Sequence, residues 1–216
     1  EQRYISDVEW WLTYESWKVI CCSHYMKDEL RRVFQIPEDK LCIIPNGVDP
    51  ENFAVKKHKT SRENYAANNE KIVFYVGRLV REKGVEVLLN AAPKVLSRNP
   101  NTKFVIAGKG PHMETLRHQA TQLNIAHHVY FTGYIDDEIR NSLYNWADVA
   151  VFPSLYEPFG LVALEAMATG TPVVVSDTGG FAETVKHGEN GIRVSVENVA
   201  ELAEQLCVLL TDSKSA

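Results

Sequence analysis

The sequence predicts an α/β fold with a doubly wound parallel sheet, and three observations carry that expectation. Short β-branched runs alternate with helical patterns along almost the whole chain. Most of these runs are continuously apolar, as parallel strands covered on both faces are, rather than alternating like strands with one wet face. A strand followed by a helix, repeated, implies crossover units rather than hairpins.

In chain order, the first element is a helix rich in tryptophan (Trp10, Trp11, Trp17), followed by a strand over 18–22, a helix over 24–34 and a strand over 41–44. Residues 52–70 are polar (Lys56, Lys57, His58, Lys59, Arg62, Asn64, Asn68, Asn69), which predicts a loop or linker with at most one short helix. Further strands are expected over 71–76, 103–107, 128–131, 148–152 and 172–175. Helices are expected over 84–98, 112–123, 136–146, 161–169 and 198–210. In the first of these, Val85, Leu88, Leu89, Ala92, Val95 and Leu96 recur at helical spacing and leave Glu86, Asn90 and Lys94 outward. The front piece is too small to close a core. Residues 1–50 therefore read as the end of one domain with its hinge, 51–70 as a linker, and 71–216 as a second domain. The tryptophans, with Trp146, are expected in the core or in packing between domains.

Composition narrows the function. The chain has 216 residues, 45% hydrophobic and 24% charged, and its 23 basic and 28 acidic residues leave a net charge of −5. A protein that coats nucleic acid or an anionic membrane needs a basic face, so neither partner is expected. No apolar run reaches the roughly 18 residues of a membrane span, so no transmembrane segment is expected, and residues 1–9 carry no basic and apolar signal segment. Cys21, Cys22, Cys42 and Cys207 form no Cys-x-x-Cys pair and read as small buried hydrophobes in a reducing, cytoplasmic compartment. The histidines show no ligand spacing, so no metal site is expected.

Four segments lie where strands give way to helices, the carboxyl edge of a parallel sheet, where ligands bind. Gly77-Arg78-Leu79-Val80-Arg81-Glu82-Lys83-Gly84 puts two cations, Arg78 and Lys83, ahead of a helix N-terminus, which itself favours anions. The bland alternative is two solvated charges. Gly108-Lys109-Gly110 lacks the rest of a dinucleotide fingerprint and reads better as a plain tight turn, which disfavours a nicotinamide enzyme. In Pro153-Ser154-Leu155-Tyr156-Glu157-Pro158-Phe159-Gly160, the strand stops at a proline, and Gly160 is expected to leave room for a ligand against the amides that open the next helix. Glu157 stands just before that helix. Glu165 lies inside it among Leu161, Val162, Leu164 and Met167, where a carboxylate is costly to bury without a partner, and a ligand hydroxyl or cation would supply one. Gly179-Gly180 opens a further helix. Two cations for phosphates and two or three carboxylates for hydroxyls along one sheet edge suit a nucleotide-sugar.

Gly77-Arg78 through Lys83-Gly84, Glu157 and Glu165 within Glu-Pro-Phe-Gly-Leu-Val-Ala-Leu-Glu-Ala-Met-Ala, Gly179-Gly180 with Glu183, and Asn46-Gly47-Val48-Asp49 together resemble the family 4 retaining glycosyltransferases. The resemblance implies the GT-B fold, two Rossmann-like domains facing a cleft, of which this chain is similar to the C-terminal, donor-binding half with a remnant of the N-terminal domain. It further implies that Arg78 and Lys83 bind the donor diphosphate and steady charge on the departing phosphate. Glu157 would contact the transferred sugar on the opposite face; retention would run by a same-face route or through a covalent intermediate, for which Glu157 is the only nucleophile candidate in the sequence. Amides at Phe159, Gly160 and Leu161 would hold oxygens, Glu165 the ribose hydroxyls with Val162 packed nearby, and Gly108, Tyr134 and Ile135 would line the base. Gly77, Gly179 and Gly180 belong to the same motifs. No cofactor or metal is implied beyond the nucleotide-sugar co-substrate. The acceptor, a glycan or small molecule, is expected to bind an N-terminal domain outside this chain. The tryptophan-rich front and Pro153 to Leu161 look most like glycogen and starch synthases, implying ADP-glucose or UDP-glucose and an α-glucan. Sibling readings are an enzyme making sucrose, trehalose, a mannoside or an envelope glycan, and a nucleotide-binding module without catalysis.

Overall fold

The computed structural model describes residues 2–55 and 59–211, and the side chains of residues 5–55 and 59–211. Lys56, Lys57 and His58 of the polar stretch and the tail over 212–216 lie outside the described residues.

The front of the chain comprises α1 (Gln2–Glu15), β1 (Val19–Cys21), α2 (His24–Phe34) and β2 (Leu41–Ile43). β1 and β2 pair in parallel as a two-stranded sheet of their own, with Val19 opposite Leu41. α2 begins at Ser23, whose hydroxyl accepts the Met26 N–H at 3.0 Å, and ends on Gln35 in the left-handed conformation (φ 53°). Trp10 donates its ring N–H to the Phe34 carbonyl at 3.0 Å, which ties α1 to the end of α2. The core here is small: Cys21, Ile36 and Leu41. The tryptophans do not join it. Trp10, Trp11 and Trp17 are exposed, the last at 87%, because no element among the described residues covers that face. Trp146 is half-buried against Tyr65. Two of the cysteines, Cys21 and Cys207, are buried as expected, whereas Cys22 and Cys42 are only partly covered.

The larger part alternates strand and helix: β3 (Lys71–Val76), α3 (Val85–Arg98), β4 (Thr102–Ala107), α4 (Met113–Gln122), β5 (Val129–Gly133), α5 (Asp137–Trp146), β6 (Val149–Phe152), α6 (Leu161–Ala168), β7 (Val173–Ser176), α7 (Phe181–Thr184), β8 (Ile192–Val194) and α8 (Val199–Thr211). The six strands are all parallel in the order β5-β4-β3-β6-β7-β8. The first three strands run outward one way and the next three the other, so the order reverses between β3 and β6. Phe74, Phe104, Val105, Ile106, Val149, Ala150 and Val174 are wholly buried, in keeping with helices on both faces. α3, the first crossover helix, packs along α8, which follows the last strand. β8 was not expected. It is three residues long and its middle one is Arg193, so it has no apolar run of its own and is a strand through pairing with β7.

The polar stretch after β2 lies against this larger part. Phe53 and Ala66 are buried, Asn141 donates to the Asn52 carbonyl at 2.8 Å, and Lys59 pairs with Asp136 at 2.7 Å. Among the described residues, no helix is long and apolar enough to cross a membrane.

Leu89, wholly buried on α3, tests the packing of the larger core. Leu89→Ala is expected to cost about 3 kcal/mol in urea unfolding. A loss below about 1 kcal/mol would contradict this packing, since a site that tolerates the deletion is not closely filled.

Candidate functional site

Reversal of strand order leaves a crevice at the carboxyl ends of β3 and β6, and the two loops that bound it are tied together. The Glu82 carbonyl accepts the N–H of Leu155 at 2.8 Å and of Tyr156 at 3.3 Å. A single 3-10 turn over Arg81–Lys83 carries the lysine toward the second loop, where β6 has ended at Pro153. There Lys83 Nζ meets Glu157 Oε2 at 2.7 Å, and the buried Ser154 hydroxyl donates to the same oxygen at 3.3 Å. The lysine side chain is 20% exposed and the carboxylate 10%. Two charges so far from water are tolerated because each compensates the other, and removing one strands its partner.

A third loop holds Glu157 from behind. Its carbonyl accepts the Gly180 N–H at 2.8 Å. Gly179, at φ +52°, passes so close that a Cβ there would lie 2.0 Å from the Glu157 oxygen. These glycines admit the protein's own backbone. At Gly160 the expectation of room for a ligand is corrected: a Cβ would fall 2.4 Å from the Phe181 ring, which fills that space. α6 nevertheless starts on Gly160 without a side-chain cap, so the opening amides, beginning at Leu161, are not covered by a capping side chain. Phe159 is buried, Val162 half-buried and Leu161 exposed.

A cavity of about 400 Å³ lies at the carboxyl ends of β3, β4 and β5. Gly77 and Arg78 after β3, Gly108 after β4, and Tyr134 and Ile135 after β5 all line it. Lys109, Asp137 and Arg140 line it too, and no role was expected of them. Lys109 sits in the Gly-x-Gly turn that read as structural. Arg140 carries an i,i+3 signal, and it pairs with Asp137 at 2.9 Å. Arg78 is exposed; its carbonyl accepts the Tyr75 hydroxyl at 3.2 Å, and its guanidinium makes no hydrogen bond or ion pair among the described residues, whereas the Lys83 ammonium is engaged by Glu157. Lys83, Glu157 and Glu165 do not line the cavity.

Glu165 has partners within the protein, which corrects the expectation that a ligand must supply them. Its Oε2 accepts the Tyr144 hydroxyl at 3.0 Å and lies 3.8 Å from Arg140 Nε. The Arg140 guanidinium also stacks on the Phe53 ring, 5.2 Å from its centroid. Burial pushes the Glu165 carboxyl above the ordinary carboxylate range, and Arg140 and Tyr144 pull it partly back. Burial and the Glu165 charge drive the Tyr144 phenol well above its usual value, so it remains a donor. Through Arg140, Glu165 communicates with the cavity.

A second cavity, about 350 Å³, lies where β7 begins, between Thr171, Pro172, Gly191 and Leu209. It is at the opposite edge of the sheet from the charged pairs, and no cluster of cations or carboxylates converges there. Among the described residues no group of three or more His, Cys, Asp or Glu side chains is placed to hold a metal.

Residues 56–216 match the family model described as glycosyl transferases group 1, and residues 1–52 match glycosyltransferase family 4. The chain is 42% identical over 217 residues to an uncharacterized glycosyltransferase of Methanocaldococcus jannaschii (MJ1607), covering 98% of this chain and 55% of that protein. It is 38% identical to a glycogen synthase of Mycobacterium tuberculosis, covering 99% of this chain and 50% of that protein. Among solved structures, Anabaena Alr3699/HepE in complex with UDP and glucose superposes with a TM-score of 0.87 at 25% identity, over 100% of this chain and 59% of that one. The chain thus spans about half the length of the relatives it matches, and the fold is that of GT-B glycosyltransferases. With its strand order, its switch-point crevice and these matches taken together, the chain belongs to the group 1 glycosyltransferases.

Proposed function

We propose that this chain is the donor-binding half of a retaining hexosyltransferase and that its crevice takes a nucleotide-sugar. The observation that carries the reading is an ion-paired lysine and glutamate on the two loops of the switch point, with the exposed Arg78 on the first of those loops lining a 400 Å³ cavity. The nucleoside sits in the cavity, its base between Gly108, Tyr134 and Ile135. Arg78 reaches the diphosphate from the cavity wall. Lys83 has three N–H donors and spends one on Glu157, so it can hold phosphate oxygens without releasing the carboxylate. Positive charge on both residues then steadies the phosphate as the glycosidic bond breaks, the work a divalent cation would otherwise do. Glu157, fixed by Lys83, Ser154 and the Gly180 amide, faces the sugar as a hydroxyl acceptor. Glu165 takes the ribose hydroxyls while Tyr144 and Arg140 hold its orientation. Gly77, Gly179 and Gly180 set the spacing of these loops.

The sugar is glucose, from ADP-glucose or UDP-glucose, and the acceptor an α-glucan. Support comes from the glycogen synthase among the relatives and from the UDP and glucose bound in the Anabaena neighbour. The acceptor belongs to the partner domain of the full-length protein, so the 216-residue chain binds donor without transferring its sugar. Calorimetry with ADP-glucose, UDP-glucose and GDP-mannose tests the donor. A glucose nucleotide is expected to bind, and failure of all three at millimolar concentration would end the proposal.

Lys83→Ala is expected to weaken UDP or ADP binding at least tenfold, because a charged contact to phosphate is lost and Glu157 is left buried alone. Glu157→Gln is expected to keep UDP or ADP affinity within about threefold and to lower turnover in the full-length enzyme. Equal losses of affinity in the two variants would contradict the separate roles.

Glu165→Gln separates recognition from stability. The folded carboxyl titrates above its unfolded value, so across that window the native state holds a proton that the unfolded chain has lost, and stability falls as pH rises. The glutamine variant lacks this loss. In denaturant unfolding it should gain on the wild type as pH goes from about 4 to 7, while its UDP affinity at neutral pH falls. A stability gap that does not change with pH would contradict the buried, proton-retaining state of Glu165.

A further inference from the structure

Glu183 belongs to the Gly179-Gly180 motif, and the sequence assigns it no role. Its carboxylate grips the start of α2. Oε2 accepts the His24 N–H at 2.9 Å and Oε1 the Tyr25 N–H at 2.7 Å. The next amide, Met26, is taken by the Ser23 hydroxyl at 3.0 Å, so three opening donors of α2 are satisfied, two of them by a charge from the other part of the molecule. The Ser23 hydroxyl has one proton of its own, and donates it to the Pro158 carbonyl at 2.6 Å. The Tyr25 ring lies 5.9 Å from that of Tyr156, and the start of α2 thus rests on the turn that carries Glu157. The grip continues inward, since the Glu183 N–H donates to the Gly180 carbonyl at 3.1 Å and the Gly180 N–H donates to the Glu157 carbonyl at 2.8 Å.

We infer that Glu183 is a positioning residue: by clamping the N-terminus of α2 it couples docking of the front element to the geometry of the Glu157–Pro158 turn, and hence to donor occupancy. A carboxylate opposed to a helix N-terminus is stabilised by the free N–H groups and the helix dipole together. The arrangement is directional, because only the acidic end of Glu183 and the amide end of α2 fit. Ser23 and Glu183 hold two successive points of one turn, Pro158 directly and Glu157 through Gly180, so a shift of α2 moves the backbone on which Glu157 is mounted. Coupling of this kind is reciprocal: whatever docking does to the donor site, donor binding does to docking. The inference rests on the crevice being a nucleoside-diphosphate site, and the test separates the two.

Amide hydrogen exchange by NMR, with and without UDP, on the 216-residue chain and on Glu183→Gln reads the clamp directly. Glu189→Gln serves as control, its carboxylate being engaged, among the described residues, only with Lys186. In the free protein the His24 and Tyr25 amides should exchange about tenfold faster in Glu183→Gln and unchanged in the control. UDP should slow exchange along α2 in the wild type but not in Glu183→Gln, and calorimetry should show UDP bound about fivefold more weakly by that variant. Ser23→Ala, which cuts the second tie, should weaken UDP in the same direction. Unchanged α2 exchange in free Glu183→Gln would overturn the clamp. Faster exchange with UDP affinity and UDP protection equal to wild type would overturn the coupling. A wild-type chain that takes up no UDP would overturn the nucleotide reading instead, and the free-protein exchange would then decide the clamp on its own.

Discussion

The Lys83–Glu157 contact is the point on which the rest of the site turns. A salt bridge this sheltered returns little net stability, because both charges leave water to make it. Its presence therefore asks for a reason other than holding the fold together. The strand order supplies one: at the reversal between β3 and β6 two loops diverge, and something must keep them at a working distance. Glu82 does so through its carbonyl, and Lys83 does so through its side chain while keeping donors in reserve. The pair is both a strut and a primed anion receptor.

Around it the protein separates three tasks. Arg78 and Lys109 bring positive charge to the cavity wall, and neither side chain is spent on an ion pair among the described residues. Arg140, Tyr144 and Glu165 form a half-buried polar group in which one carboxylate is kept near its ionisation range by a cation and a phenol that cannot itself ionise at neutral pH. The third loop, from Ser176 to Phe181, meets the Glu157 turn through its backbone, the Thr178 hydroxyl and the Phe181 ring, and its glycines let it approach Glu157 and Phe159. Small residues and close backbone contact fix the geometry, and a few charges placed on that frame do the chemistry.

Much of this was legible in the sequence for physical reasons. Buried parallel strands must be apolar throughout, so the runs ending at Val76, Ala107 and Phe152 announce themselves, and the loops that follow lie at the ligand-binding edge by topology alone. The Glu157 turn was legible because Pro153, Pro158 and Gly160 leave the backbone few options. What remained hidden depends on distant contacts. Arg140 and Tyr144 read as ordinary helix residues until α5 is packed beside α6. Glu183 has no assignable role until α2, far away in sequence, arrives with its amides. β8 has no apolar run to reveal it. The tryptophans of α1 misled in the other direction, since large apolar residues read as core, and no described element covers that face of α1.

The most direct measurement of the central claim is a crystal structure of the chain with UDP. The account predicts the diphosphate within hydrogen-bonding distance of both Lys83 Nζ and the Arg78 guanidinium, with uracil in the cavity beside Tyr134 and Lys83 still touching Glu157. UDP seated away from both cations, or in the opposite cavity by Pro172, would contradict it.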